Sequence, residues 1–168
     1  MDRIAKINAY AEKRDNEMHE KLMQKETHLL QMLNEVKALA PRLRELMEVG
    51  KALCANGIPL GPKTDRLDIT AEFLSNGWSH RVGFIGRCDF RTGRSTIAGF
   101  GIVGGGACGS DLYFNEDGEI SDLFPDVGNG PVGTRGNKWK DSDIAHLERF
   151  LSEFGAFEKK VYNFVDSL

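Results

Sequence analysis

The first forty residues contain neither glycine nor proline, and this constrains the fold more than any other feature of the chain. Ala, Glu, Lys, Leu and Met dominate the stretch, and all are strong helix formers, so one long helix over residues 2–39 is predicted. Its apolar positions open with Ile4, Ile7 and Ala11. Residues 12–20 are then almost wholly charged or polar. A seam resumes with Leu22, Leu29, Val36 and Leu43, one every seven residues, with Met18, Met32, Leu33 and Ala40 between them. Heptad spacing suits pairing with another helix. Either the C-terminal half of the helix packs on the rest of its own chain, or the arm pairs between molecules through Leu22, Leu29 and Val36. The polar stretch favours a projecting arm, because a packed helix would press charged groups into its partner there.

Pro41 fits the first turn of a second helix, 41–55, which carries Leu43, Leu46, Met47 and Leu53. Asn56-Gly57 supplies a C-terminal stop. Helical periodicity ends at Ile58-Pro-Leu-Gly-Pro. The domain boundary is therefore placed at 60, giving a helical arm (1–60) and an α+β head (61–168). In the head, Ile69 to Leu74 reads as a first strand, and Asn76-Gly77 is a hairpin turn signal. Trp78 to Phe90 alternates as one strand: Trp78, His80, Val82, Phe84, Cys88 and Phe90 on one side, Arg81, Ile85, Arg87 and Arg91 on the other. A strand from Ser95 to Val103 follows, then a hairpin around Asp117-Gly118. The last element, residues 142–167, is a helix with a stripe of Ile144, Leu147, Leu151, Phe154, Val161 and Val165. Phe150, Phe157 and Phe164 widen it, which suits a helix covering a sheet. Gly155 within it suggests close backbone approach. The fold class is α+β: a long N-terminal helix, and an antiparallel sheet covered by the C-terminal helix.

A net charge of −3 argues against a general basic nucleic-acid binder. Of the cysteines, Cys54, Cys88 and Cys108, none forms a C-x-x-C pair and the number is odd, so reduced thiols are expected. No apolar leader pattern opens the chain and no apolar run approaches membrane-spanning length, which predicts a cytoplasmic protein without a membrane partner.

Three stretches carry candidate chemistry. Arg81, Arg87, Arg91 and Arg94 would present guanidinium forks on one strand face, suited to phosphate or carboxylate. The adjacent Gly-rich run, with Gly104, Gly105 and Gly106, exposes backbone N–H groups able to cradle an anion, or else marks a bulged corner. Neither a P-loop nor a dinucleotide fingerprint is present. Trp139, among Arg135, Lys138 and Lys140, could stack on a base. The third stretch is acidic: Asp111 to Asp126 contains no Lys or Arg, and Glu116, Asp117 and Glu119 form a tip that could occupy a basic groove of a partner, or merely be solvated. No metal or cofactor set is found. Among nucleophiles only Cys108, with His80 as a base, is a candidate, and no motif supports it, so a non-enzymatic protein is expected.

The segments Asn56-Gly-Ile-Pro-Leu, Ser75-Asn-Gly-Trp-Ser-His, Gly83-Phe-Ile-Gly, Gly101-Ile-Val-Gly-Gly-Gly-Ala-Cys-Gly, Leu147-Glu-Arg-Phe-Leu and Phe157-Glu-Lys give residues 50–168 a look that resembles small accessory proteins of phages and mobile elements of Gram-positive bacteria. The resemblance implies an antagonist of bacterial immunity. Such a protein would either occlude an effector such as a CRISPR nuclease, in the anti-CRISPR manner, or sequester a nucleotide signal. Homo-oligomerisation through the arm is the accompanying expectation. The alternatives are a coiled-coil scaffold and, last, a Cys108-dependent enzyme.

Overall fold

A computed structural model describes residues 2–60, 69–70, 81–90, 92–103, 113–120 and 141–168. Helix α1 runs over Arg3–Ala38 and α2 over Ala40–Ala55, separated by a single turn at Leu39. Asp2 caps α1, its side chain accepting from the Ile4 N–H at 3.2 Å. Pro41 sits in the first turn of α2, where its missing N–H costs nothing. The strands are β1 (Ile69–Thr70), β2 (Arg81–Ile85), β3 (Arg87–Asp89), β4 (Arg94–Ser95), β5 (Gly99–Val103) and β6 (Tyr113–Phe114), and α3 spans Asp141–Asp166.

The strands form two antiparallel three-stranded sheets, one ordered β2-β5-β6 and the other β1-β3-β4. In the first, β2 and β5 pair over five residues, from Arg81 opposite Val103 to Ile85 opposite Gly99. The predicted single strand Trp78–Phe90 is thus two strands in two sheets. Gly86 divides them at φ 140°, a conformation closed to L side chains, and there a Cβ would run into the Thr96 carbonyl and the Ile97 backbone. Ile85, expected beside the arginines, is buried, as are Val82 and Phe84 on the opposite face of the strand.

Helix α3 lies on the first sheet. Phe154 meets Phe100 edge-on at 6.2 Å between ring centroids, Phe157 meets Phe84 at 5.2 Å, and Phe150 meets Phe114 at 5.1 Å. Aromatic contacts of this kind add to the burial of large apolar area. The fold is α+β, with a small antiparallel sheet covered by the C-terminal helix, as its aromatic stripe predicts. Gly155 behaves otherwise: it faces solvent, with nothing within 4 Å of a Cβ built there. The close approach occurs instead at Gly50 of α2, which sits against the ring of Phe84.

The same apolar cluster takes in Leu29, Met32, Leu33 and Val36 of α1 and Leu43, Leu46, Met47 and Leu53 of α2. Residues 29–55 therefore belong to the packed body, and what projects is α1 up to about residue 28. The cysteine expectation is also corrected. Cys54, in the last turn of α2, and Cys88, in the centre of the second sheet, form a disulfide with Cα atoms 5.8 Å apart. The pair is 34 residues apart in sequence, a separation that carries no local signature.

Candidate functional site

The heptad Leu22, Leu29, Val36, Leu43 splits in two. Leu29, Val36 and Leu43 are buried against the chain's own α3 and sheet, so Leu29 and Val36 are core residues and not a partner surface. Heptad spacing marks a face that needs a partner but does not say whether that partner lies in the same chain. Leu22 stays 59% exposed.

Leu22 is not isolated. At about 100° per residue, Ile4, Ile7, Ala11, Met18 and Leu22 fall on the same azimuth of α1 as Leu29, Leu33 and Val36. The line is buried at its C-terminal end and open toward its N-terminal end, where Ile4 is 65%, Ile7 67% and Met18 57% exposed. Its edges are sorted by charge. Arg3 and Lys21 lie along one side and Glu12 and Glu26 along the other, while Arg14 and Asp15, one from each side, are bonded to each other at 3.0 Å. From His28 onward α3 runs beside α1. His28 Nε2 lies 3.1 Å from Glu148 Oε1, and Met32 and Leu151 share a shallow groove there. The open line thus ends where α3 begins to cover it.

The predicted acidic tip is in place but not free. Asn115 makes the turn, its side-chain oxygen accepting from the N–H groups of Asp117 and Glu119 at 3.0 Å each. Gly118, at φ 73°, lies against the Val36 carbonyl at the end of α1. Asp117 bonds Arg44 at 3.1 Å and Glu116 faces Lys51 at 3.7 Å, so two of the three tip carboxylates are turned onto α2; Glu119 is exposed. These pairs are half-exposed and contribute little to stability, but they lower the tip's net charge.

The arginine surface is brought together less fully than its alternation suggests. Arg81 is on β2, opposite Val103; Arg87 is on β3, opposite Thr70, in the other sheet and beyond the Gly86 bend. Arg94 is exposed on β4, opposite Asp89. Arg91, Gly104, Gly105, Gly106 and Trp139 lie outside the described residues, as do Cys108 and His80. Within the described part of the Gly-rich stretch, Gly99 meets a structural demand: a Cβ there would collide with the Phe114 carbonyl of the neighbouring strand. Among the described residues, no group of three His, Cys, Asp or Glu is placed to hold a metal ion.

One polar cluster has no counterpart in the sequence patterns. Arg42, at the start of α2, grips Glu158 of α3 with both prongs, Nε donating to Oε2 at 3.0 Å and Nη2 to Oε1 at 2.6 Å. Its guanidinium also stacks over the Phe154 ring at 5.3 Å. The hydrogen bond to Glu158 raises the Arg42 pKa, with burial opposing. This is a brace between helices, and the residues are too far apart in sequence to suggest it. Tyr162, beside it, has a buried hydroxyl with no partner among the described residues, and burial pushes its phenol pKa up.

Taken together, the elements define an α+β protein that carries a projecting helix with a charge-sorted apolar line. No protein-family model, no curated protein and no solved structure matches the chain. Among the described residues no helix is long and apolar enough to cross a membrane.

Proposed function

We propose that the chain is a non-enzymatic binding protein that engages its target through the apolar line on its arm. In this reading it acts in the host cytoplasm as an inhibitor of the anti-defence kind that the sequence resemblance implies. The observation that carries the reading is continuity: one azimuth of α1 is core from Leu29 to Val36 and solvent-exposed from Ile4 to Leu22. An exposed apolar strip on a helix is the usual form of a helix-in-groove or helix-on-helix contact.

The charged edges set a condition on the partner. It must offer acidic groups to Arg3 and Lys21, and basic groups to Glu12 and Glu26, since Arg14 and Asp15 already bond each other. Two parallel copies meet that condition, since a two-fold axis along the helices brings the basic edge of one to the acidic edge of the other. Their bodies then collide, because each body sits on the same face of α1 from His28 onward. Two antiparallel copies keep their bodies apart but set like edge against like. Each like-charged contact costs about 0.2–0.5 kcal/mol, on top of an association cost of about 4–15 kcal/mol. A helix of a target effector escapes both difficulties, and self-association is the rival.

The test is affinity capture from a lysate of a Gram-positive host, with the intact protein and an Ile7→Lys/Leu22→Lys variant. Both positions are exposed, so stability should change by no more than about 0.5 kcal/mol. The intact protein should be monomeric by light scattering and retain an effector protein that the variant loses. An effector held equally by the variant would remove the arm from consideration. A multimer that the variant dissolves would transfer the arm to self-association, and a rise in melting temperature with nucleotides would move the function to an anionic ligand.

A further inference from the structure

The Cys54–Cys88 bond joins two parts of the molecule that also touch through backbone. On one side is the last turn of α2, continuous with the aromatic core. On the other is the β1-β3-β4 sheet, whose ladders show two residue pairs each among the described residues, against five pairs between β2 and β5. Cys88 is its central residue, with Ile69 on one side and Ser95 on the other. The sheet is tucked under the end of α2 by two close backbone approaches. A Cβ on Gly57 would lie 2.6 Å from the Phe90 carbonyl oxygen, and one on Gly93 would lie 2.9 Å from that of Ala55. Both cysteines are fully buried.

The site also suits the reduced state. Cys54 Sγ lies 3.4 Å from the Arg94 carbonyl oxygen of β4. In the disulfide that sulfur has no proton, and the approach is simple contact. Once reduced, the Cys54 thiol has an acceptor already in place. The bond staples a small sheet to a firm helix, and a hydrogen-bond acceptor stands beside Cys54 for its reduced form.

We propose that Cys54–Cys88 is a reversible redox clasp that locks the β1-β3-β4 sheet onto the end of α2 and is opened by thiols of the glutathione class. A glutathione thiolate attacks one sulfur, the S–S bond breaks, and the departing cysteine takes a proton. A second glutathione resolves the mixed disulfide, giving two protein thiols and one oxidised glutathione. Oxidised glutathione runs the sequence backwards. Because both sulfurs are buried, attack requires the small sheet to lift from α2, so the rate of opening should level off as glutathione concentration rises. The clasp governs the surface that carries Arg94, and it is independent of the arm reading.

The experiment equilibrates the full-length protein in buffers of differing reduced-to-oxidised glutathione ratio. Thiols are alkylated under denaturing conditions and counted by mass, and amide exchange is followed in parallel. One alkylated cysteine under oxidising buffer and three under reducing buffer is the expected count. Exchange at Cys88, Asp89 and Ser95 should speed up roughly tenfold or more on reduction, while β2, β5 and α3 stay protected, as for a locally opening unit. A Cys54→Ala/Cys88→Ala variant should reproduce the reduced pattern in either buffer. Three thiols at every ratio, an unchanged exchange pattern, or unfolding of the whole chain on reduction would each overturn the proposal.

Discussion

Gly50 and Gly155 both lie inside helices, and replacing each by Ala should have opposite effects. In a helix interior Ala is favoured over Gly by about 0.5–1 kcal/mol, and this gain applies equally at both sites. At Gly155 nothing lies within 4 Å of the new methyl group, so the gain stands alone. At Gly50 the methyl would be 2.7 Å from Phe84 Cζ and 2.8 Å from Cε1. Phe84 cannot retreat: it is fully buried between Phe100, 5.4 Å away, and Phe157, 5.2 Å away, centroid to centroid. Forcing a methyl group into such a core costs about 1–3 kcal/mol. Set against the helix gain, this overpacking should leave Gly50→Ala neutral to destabilising, by about 0–2.5 kcal/mol. Gly155→Ala should stabilise by about 0.5–1 kcal/mol. Urea denaturation reads both as midpoint shifts at constant slope. The backbone term cancels between the variants, so their difference isolates the approach of α2 to the sheet. If Gly50→Ala raises the midpoint as far as Gly155→Ala does, that approach is not tight and the reasoning fails.

Phe154→Ala removes a fully buried ring and the platform under Arg42, and should cost about 3–5 kcal/mol in the same assay; an unshifted midpoint would mean that α3 does not seal the sheet. Tyr162→Phe removes a buried hydroxyl that has no partner among the described residues, so it should be neutral or stabilising at pH 7. The folded phenol pKa is raised above the ordinary 10, mainly by burial, so above pH 10 the unfolded chain gives up this proton before the folded one does. Stability should thus fall as pH climbs past 10, less steeply in the Phe variant, and equal slopes measured by denaturation at several pH values would contradict the raised pKa.

What the sequence reveals and what it hides divide along physical lines. The break at Pro41, the span of α3 and its role as a lid follow from local rules, proline at a helix start and an aromatic stripe at helical spacing. The bend at Gly86 does not, because period-two alternation continues through it, and only the demand for a positive φ marks the site. Leu22 and Leu29 occupy equivalent heptad positions, and only the tertiary contacts of α3 make one exposed and the other core. The acidic tip reads correctly as a turn, but its pairing with Arg44 and Lys51 depends on where α2 docks. The disulfide and the Arg42–Glu158 brace join residues 34 and 116 positions apart, beyond any spacing rule.

The unbroken run of α1 from solvent into the core makes it a ruler as well as an arm. At about 1.5 Å per residue, the stretch from Ile4 to His28 holds its tip about 36 Å from where the body begins. Its rotational setting is fixed as firmly as its length, since the helix has no glycine or proline at which to swivel. One alanine inserted between Leu22 and His28 would lengthen the ruler by only about 1.5 Å but turn everything beyond it by about 100°. The apolar line would then point away from the face it now continues. A partner held at the tip would meet the body at a different angle, with every contact residue still in place.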